Sequence, residues 1–226
     1  MTGLKKLWRE QRGFFLFVGL MFVFRSAVAD WNYVPSSSMS PTLVSGDRVI
    51  VNKLAYSMRL PFTLHHLAHW GSPQRADVVT FDSPVDGVNL IKRVVAVAGD
   101  VVEMRDNQLI INGAAVDRQL VQESRTVPTE NGLLSVQIWR EQMGAVAVEI
   151  ARHAATNRYT GFDPVTVPAG HVMVLGDSRD NSNDSRFIGF IDVDRITGQA
   201  IRVAMSHDAD AFYFPRAGRW WLPLHL

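Results

Sequence analysis

Along most of the chain, apolar and polar positions alternate in short β-branched runs: DRVIVNKL over residues 47–54, DVVTF over 77–81, NLIKRVVAV over 89–97. Similar runs follow at 101–104, 108–111, 133–139 and 171–175, each broken by Gly, Asn or Pro. A period of two with turn punctuation predicts antiparallel strands. Asp106-Asn107 and Asn112-Gly113 sit between runs as tight hairpin turns. Residues 61–76 read as an irregular loop. From about 105 to 165 the pattern loosens, predicting an insertion between two halves of a core sheet. The expected fold is therefore mainly β, an antiparallel core with a smaller inserted β subdomain.

The N-terminus departs from that pattern. Lys5, Lys6, Arg9 and Arg12 face one acid, Glu10, before an uncharged run over 13–24, then Arg25, Ala27-Val28-Ala29 and Asp30. A basic segment, an apolar run and a small-residue site describe a cleavable signal peptide. An uncleaved anchor is the rival, with Arg25 snorkelling and Trp8, Trp31 and Tyr33 at the interfaces. Both orient the chain alike, the N-terminus cytoplasmic and everything beyond residue 30 exported.

Composition narrows the chemistry. In 226 residues there is no cysteine, which excludes disulfides, thiolate metal sites and a cysteine nucleophile. A net charge of +1 gives no field for nucleic acid, so no nucleic-acid partner is expected. Of 23 basic residues, only Lys5, Lys6, Lys53 and Lys92 are lysines. No cofactor and no metal is expected. His65, His66 and His69 have no acidic companion nearby in sequence, and Asp180, Ser182 and Asp184 lack the Gly and Glu that a calcium loop requires.

Four serines crowd residues 36–40 between two prolines, either as a linker or as a nucleophile segment. A serine needs a base. The Gly-x-Ser-x-Gly elbow is absent, Gly176-Asp177-Ser178 lacks the Asp-x-x-His partner of GDSL-type esterases, and no Ser precedes a Lys by three. Lys92 remains, on a predicted strand among aliphatic neighbours in a chain that otherwise uses arginine. Unlike arginine, lysine can give up its proton.

These residues resemble the type I signal peptidases (leader peptidases), membrane-bound Ser/Lys proteases. Three blocks carry the resemblance in family order: Pro35-Ser-Ser-Ser-Met-Ser-Pro-Thr-Leu43, Ile91-Lys-Arg-Val-Val95 with Gly99-Asp100, and Gly176-Asp-Ser-Arg-Asp-Asn-Ser-Asn-Asp-Ser-Arg-Phe187 with Gly189-Phe190. The resemblance implies Ser38 as nucleophile and Lys92 as general base, with Ser36 and the Ser38 N–H as oxyanion hole. It implies Ser182 as the group orienting the lysine, and Asp177, Arg179, Asp184 and Arg186 as structural support. Ser37, Ser178 and Ala96-Val97-Ala98 depart from the usual pattern without emptying a proton-transfer position.

The implied organisation is a cytoplasmic basic tail (1–12), one transmembrane helix (13–30), a catalytic core in two parts (31–104 and 166–226) and the inserted subdomain (105–165). The implied setting is a bacterial-type inner membrane crossed once, with the catalytic domain on its outer face and lipid as a partner. The implied substrates are exported preproteins with small residues at −1 and −3. Val34, Met39, Leu43, Leu90 and Ile91 would line shallow pockets beside an added peptide strand. The non-enzyme alternative is an anchored β-domain that binds peptides or assembles at the membrane. Trp70, Trp220 and Trp221 fit either the outer leaflet or ordinary core packing.

A free lysine is neutral only about once in 2,500 at pH 7. Burial away from carboxylates is therefore required, and Asp177 and Asp184 are expected to pair with Arg179 or Arg186 and leave Lys92 alone.

Overall fold

The computed structural model describes residues 2–63, 65–129, 132–153, 161–208 and 212–224. The side chains of residues 2–10, including Lys5, Lys6 and Arg9, lie outside the described set, as do parts of the expected insertion.

The chain is mainly β, as its alternation predicts. The largest sheet runs in the order Ala29–Tyr33, Asp47–Asn52, Ile196–Asp208, Val78–Asp82, Asn89–Val97, His171–Leu175 and Ile191–Asp192, with Phe214–Pro215 and Leu222–Pro223 added along Ile196–Asp208. All these pairings are antiparallel. Asn89–Val97 occupies a central place, with Val79 opposite Lys92 on one side and Leu175 opposite Arg93 on the other. A strand hydrogen-bonded on both edges and covered on both faces reads as a near-continuous apolar run. Val94, Val95 and Ala96 are accordingly fully buried.

Three smaller sheets complete the described chain. Phe162–Thr166, Val101–Arg105, Gln108–Ile111 and Ala114–Ala115 form one, which straddles the expected boundary between residues 104 and 105. Its turns use the left-handed backbone that the sequence suggests, with φ of 48° and 60° at Asp106 and Asn107 and 53° and 78° at Asn112 and Gly113. Arg118–Thr129, Gly132–Met143 and Val146–His153 form a three-stranded sheet over Val127, Val136, Ile138 and Ala151. The third is a ribbon in which His66–His69 pairs with Ser57–Arg59, where a loop was expected. Three of the four residues in His66–His69 are exposed, so no apolar alternation marks that strand in the sequence.

Residues 2–27 form one helix, Thr2–Ala27. No helix among the described residues is long and apolar enough to cross a membrane. The physical reason is the length of the uncharged run: twelve residues between Arg12 and Arg25 rise about 18 Å, against a hydrocarbon core of about 30 Å. At the helix foot Arg25 donates to Asp30 and lies over the Trp31 ring, while Lys53 Nζ donates to the Arg25 carbonyl at 2.8 Å. Trp70, Trp220 and Trp221 are more than half exposed, so core packing is not their role.

Candidate active site

Residues 34–43 leave the first strand and fold back through a tight turn. The Ser40 N–H donates to the Ser37 carbonyl and the Leu43 N–H to the Met39 carbonyl. Met39 and Leu43 are buried beside Val34, Val49, Val51 and Val78, and these two apolar pegs anchor the turn that follows Ser38. Ser38 is thereby held at the sheet surface facing Lys92. Lys92 Nζ donates to Ser38 Oγ at 2.9 Å and to the Ile91 carbonyl at 2.9 Å. Ser36 Oγ lies 3.2 Å from Ser38 Oγ.

Lys92 is only 2% exposed. Burial pushes its pKa down to about 8, and the charges of Asp184 and Asp177 oppose that fall without cancelling it. Neither acid hydrogen-bonds the amine, because each already holds an arginine. Asp184 accepts from Arg186 Nε at 2.8 Å and from the Gly176 N–H at 2.9 Å. Asp177, however, pairs with Arg93, at 2.8 and 2.7 Å, and not with Arg179 or Arg186. Thr42 Oγ1 donates to the same carboxylate at 2.6 Å. Arg179 pairs with Glu141 of the three-stranded sheet. Arg93, Glu141 and Thr42 are the residues that sequence reasoning missed. Arg93 adjoins Lys92 and could have been suspected as a buried cation, but no local pattern marks Glu141.

Ser182 does not reach the amine. Its Oγ is buried with no hydrogen-bond partner among the described residues. It packs against Gly176, where a Cβ would overlap Ser182 Oγ and crowd the Ser38 carbonyl oxygen. Glycine is needed there for close approach, whatever its φ. The 176–186 segment touches the serine turn twice more: the Ser178 N–H donates to the Ser38 carbonyl at 3.1 Å, and Asn181 Nδ2 to Ser37 Oγ at 2.9 Å. Asp184 also caps the short helix Ser185–Ile188.

A groove of about 190 Å³ opens onto Ser38 and Lys92. Val34, Met39, Leu90 and Ile91 line it as expected, together with Tyr33 and Val88. Leu43 does not; it is fully buried, a core peg and not a pocket wall. Asn32 Nδ2 donates to Asn89 Oδ1 at 3.3 Å at the groove's rim.

Away from this site, folding supplies the acid that the sequence around the histidines lacks. His66 Nε2 lies 3.8 Å from Asp194 Oδ1, and His69 is close by. The two imidazoles stack at 4.4 Å and 20°. One ligand atom from each of His66, His69 and Asp194 lies within 4.8 Å of the others, a spacing that could hold a metal ion.

Comparison with known proteins points to one family. The family model described as signal peptidase, peptidase S26, matches residues 7–205. A signal peptidase I of Pseudomonas fluorescens is 39% identical over 207 residues, covering 86% of this chain and 71% of that protein. One from Pseudomonas aeruginosa is 37% identical over 208 residues, with the same coverage of 86% and 71%. One from Aquifex aeolicus is 30% identical over 223 residues, 85% of this chain and 82% of that protein.

Proposed function

The chain belongs to the peptidase S26 family of signal peptidases, and from that premise we propose that it removes signal peptides from exported preproteins with Ser38 as nucleophile and Lys92 as general base. One observation carries the reading: a lysine amine 2% exposed, pushed down to about 8 and hydrogen-bonded at 2.9 Å to a serine hydroxyl at the floor of a groove.

With the amine neutral, the hydrogen bond reverses, so that Ser38 Oγ–H donates to Nζ. Lys92 takes that proton as Oγ attacks the scissile carbonyl, and the carbonyl oxygen becomes an oxyanion. Ser36 Oγ, 3.2 Å from the attacking atom, donates to it together with the Ser38 N–H. A donor of this kind is worth about 2.7–4 kcal/mol. The lysine ammonium then gives its proton to the leaving amine, and the same lysine activates the water that hydrolyses the ester.

The substrate enters extended, its alternate side chains directed at Val34, Met39, Leu90 and Ile91. The walls given by Val34, Met39, Leu90 and Ile91 are taken to favour small residues at −1 and −3 over aromatic ones, a selectivity read from the lining. The helix Thr2–Ala27 keeps the enzyme at the bilayer, the cytoplasmic side marked by its basic end. Its short apolar run requires Arg12 and Arg25 to snorkel.

The test is cleavage of a peptide with alanine at −1 and −3 by the full chain in detergent. Ser38→Ala and Lys92→Arg are expected to be inactive, and phenylalanine at −1 is expected to abolish turnover. Near-normal cleavage by Lys92→Arg would remove the lysine from the mechanism.

A further inference from the structure

Residues 177–180 are held from two sides. On one side they meet the three-stranded sheet. The Ala151 N–H donates to the Asp177 carbonyl at 2.8 Å and the Arg179 N–H to the Ala151 carbonyl at 3.0 Å, a two-bond bridge from strand Val146–His153. The His153 N–H donates to Asp180 Oδ2 at 2.9 Å. From the neighbouring strand, Gly132–Met143, the Glu141 carboxylate accepts both terminal nitrogens of Arg179. Glu141 is fully buried and the Arg179 side chain is 4% exposed. On the other side, the Ser178 N–H holds the Ser38 carbonyl, and Asn181 holds Ser37.

We infer that Glu141 is a positioning residue for Ser38: its bidentate pair with Arg179 fixes the 177–180 segment, whose Ser178 N–H sets where the serine sits relative to Lys92. The inference rests on the Ser38/Lys92 reading and adds to it a role for a sheet that contributes no residue to the groove.

Two physical features make the coupling stiff. A bidentate guanidinium–carboxylate pair fixes orientation as well as distance. A buried charge deprived of its partner forces rearrangement, because it cannot stay unsolvated. Arg152 senses the charges of Asp180, Glu141 and Arg179, so loss of the Glu141 carboxylate leaves two neighbouring cations with Asp180 as the remaining acid among these. Between Glu141 and Ser38 stand one side chain and one peptide unit, so a shift at Arg179 has little compliant structure in which to dissipate. Misplacing reacting groups by about 1 Å can cost about 10²-fold in rate.

The experiment compares the full-length enzyme with Glu141→Gln, Val136→Ala and Ser38→Ala, measuring kcat, KM, the pH profile and Tm. The Val136 side chain is buried in the same sheet and makes none of the hydrogen bonds that hold residues 177–180, so Val136→Ala loosens the packing beneath Ala151 while keeping the Arg179 pair. Glu141→Gln is expected to lower kcat ten- to a hundredfold with KM within threefold. Its pH midpoint is expected to stay near 8, since Lys92 remains buried. Val136→Ala is expected to lower Tm while keeping kcat. Should Glu141→Gln fail to fold, Glu141→Asp keeps the charge one methylene short and is expected to lose three- to tenfold in kcat. The inference is overturned if Glu141→Gln keeps wild-type kcat, if Val136→Ala loses kcat to the same degree, or if the pH midpoint of Glu141→Gln climbs towards 10. Cleavage by Ser38→Ala would instead overturn the nucleophile assignment, so the two failures are separable.

Discussion

Two kinds of buried cation meet around residues 176–186. Arg93, Arg179 and Arg186 each lie against a carboxylate, from Asp177, Glu141 and Asp184 respectively. Lys92 has a hydroxyl and a carbonyl in place of a carboxylate. On the proposed reading, the difference separates scaffold from chemistry. A paired guanidinium stays charged and holds its neighbours in one geometry. An amine left without a counter-ion gives up its proton more readily, which is what a base near neutral pH requires. The arginines also occupy Asp177 and Asp184, whose charges would otherwise hold the lysine protonated.

That contrast can be broken from either side. Exchanging the cation types has the largest expected effect: Lys92→Arg places a permanent charge against Ser38 and is expected to cost about 10⁴-fold or more in kcat/KM for peptide cleavage. Next comes the scaffold. Asp177→Asn strands Arg93 in the interior and is expected to lower the unfolding free energy by about 3–5 kcal/mol in urea melts. A smaller effect tests the proton itself. The folded pKa of Lys92, about 8, lies below its unfolded value of 10.5. The unfolded chain therefore holds the extra proton between those pH values, and folding carries the full penalty below pH 8. Relative to Lys92→Met, wild-type stability is expected to rise by about 3 kcal/mol as pH climbs from 8 to 10.5. Cleavage is expected to increase with pH through the same midpoint and then level off. The smallest effect concerns Ser182, which touches neither cation type in the structure. If its hydroxyl orients the amine only when substrate is bound, Ser182→Ala loses about tenfold in kcat. Unchanged kcat with slightly higher Tm would make the group a spectator.

Much of the framework was legible in the chain because it is governed by local pattern. Strands Asn89–Val97 and His171–Leu175 coincide with their alternating runs, and Asp106-Asn107 supplies the left-handed turn that its residue types favour. Lys92 stood out because a lysine among aliphatic residues is conspicuous in an arginine-rich chain. What stayed hidden was side-chain pairing at long range. Asp177 was expected to choose among neighbours in its own segment, yet Arg93, 84 positions earlier, holds it. Glu141 reaches Arg179 across 38 positions, from a strand whose alternation says nothing about which polar residue turns inward. The His66–His69 ribbon escaped for the opposite reason, since a strand with little buried surface leaves no apolar rhythm to read.

A strand hydrogen-bonded on both edges does not slide, and Lys92 stands on such a strand. Its amine has only the four methylenes of its own side chain for travel, and these are enclosed. The proposed base therefore has no retracted position from which it could be summoned, and the serine opposite it sits on a turn anchored by Met39 and Leu43. On the proposed reading, restraint must be exercised at the door: which chains are cut depends on which of them can lie flat in the groove.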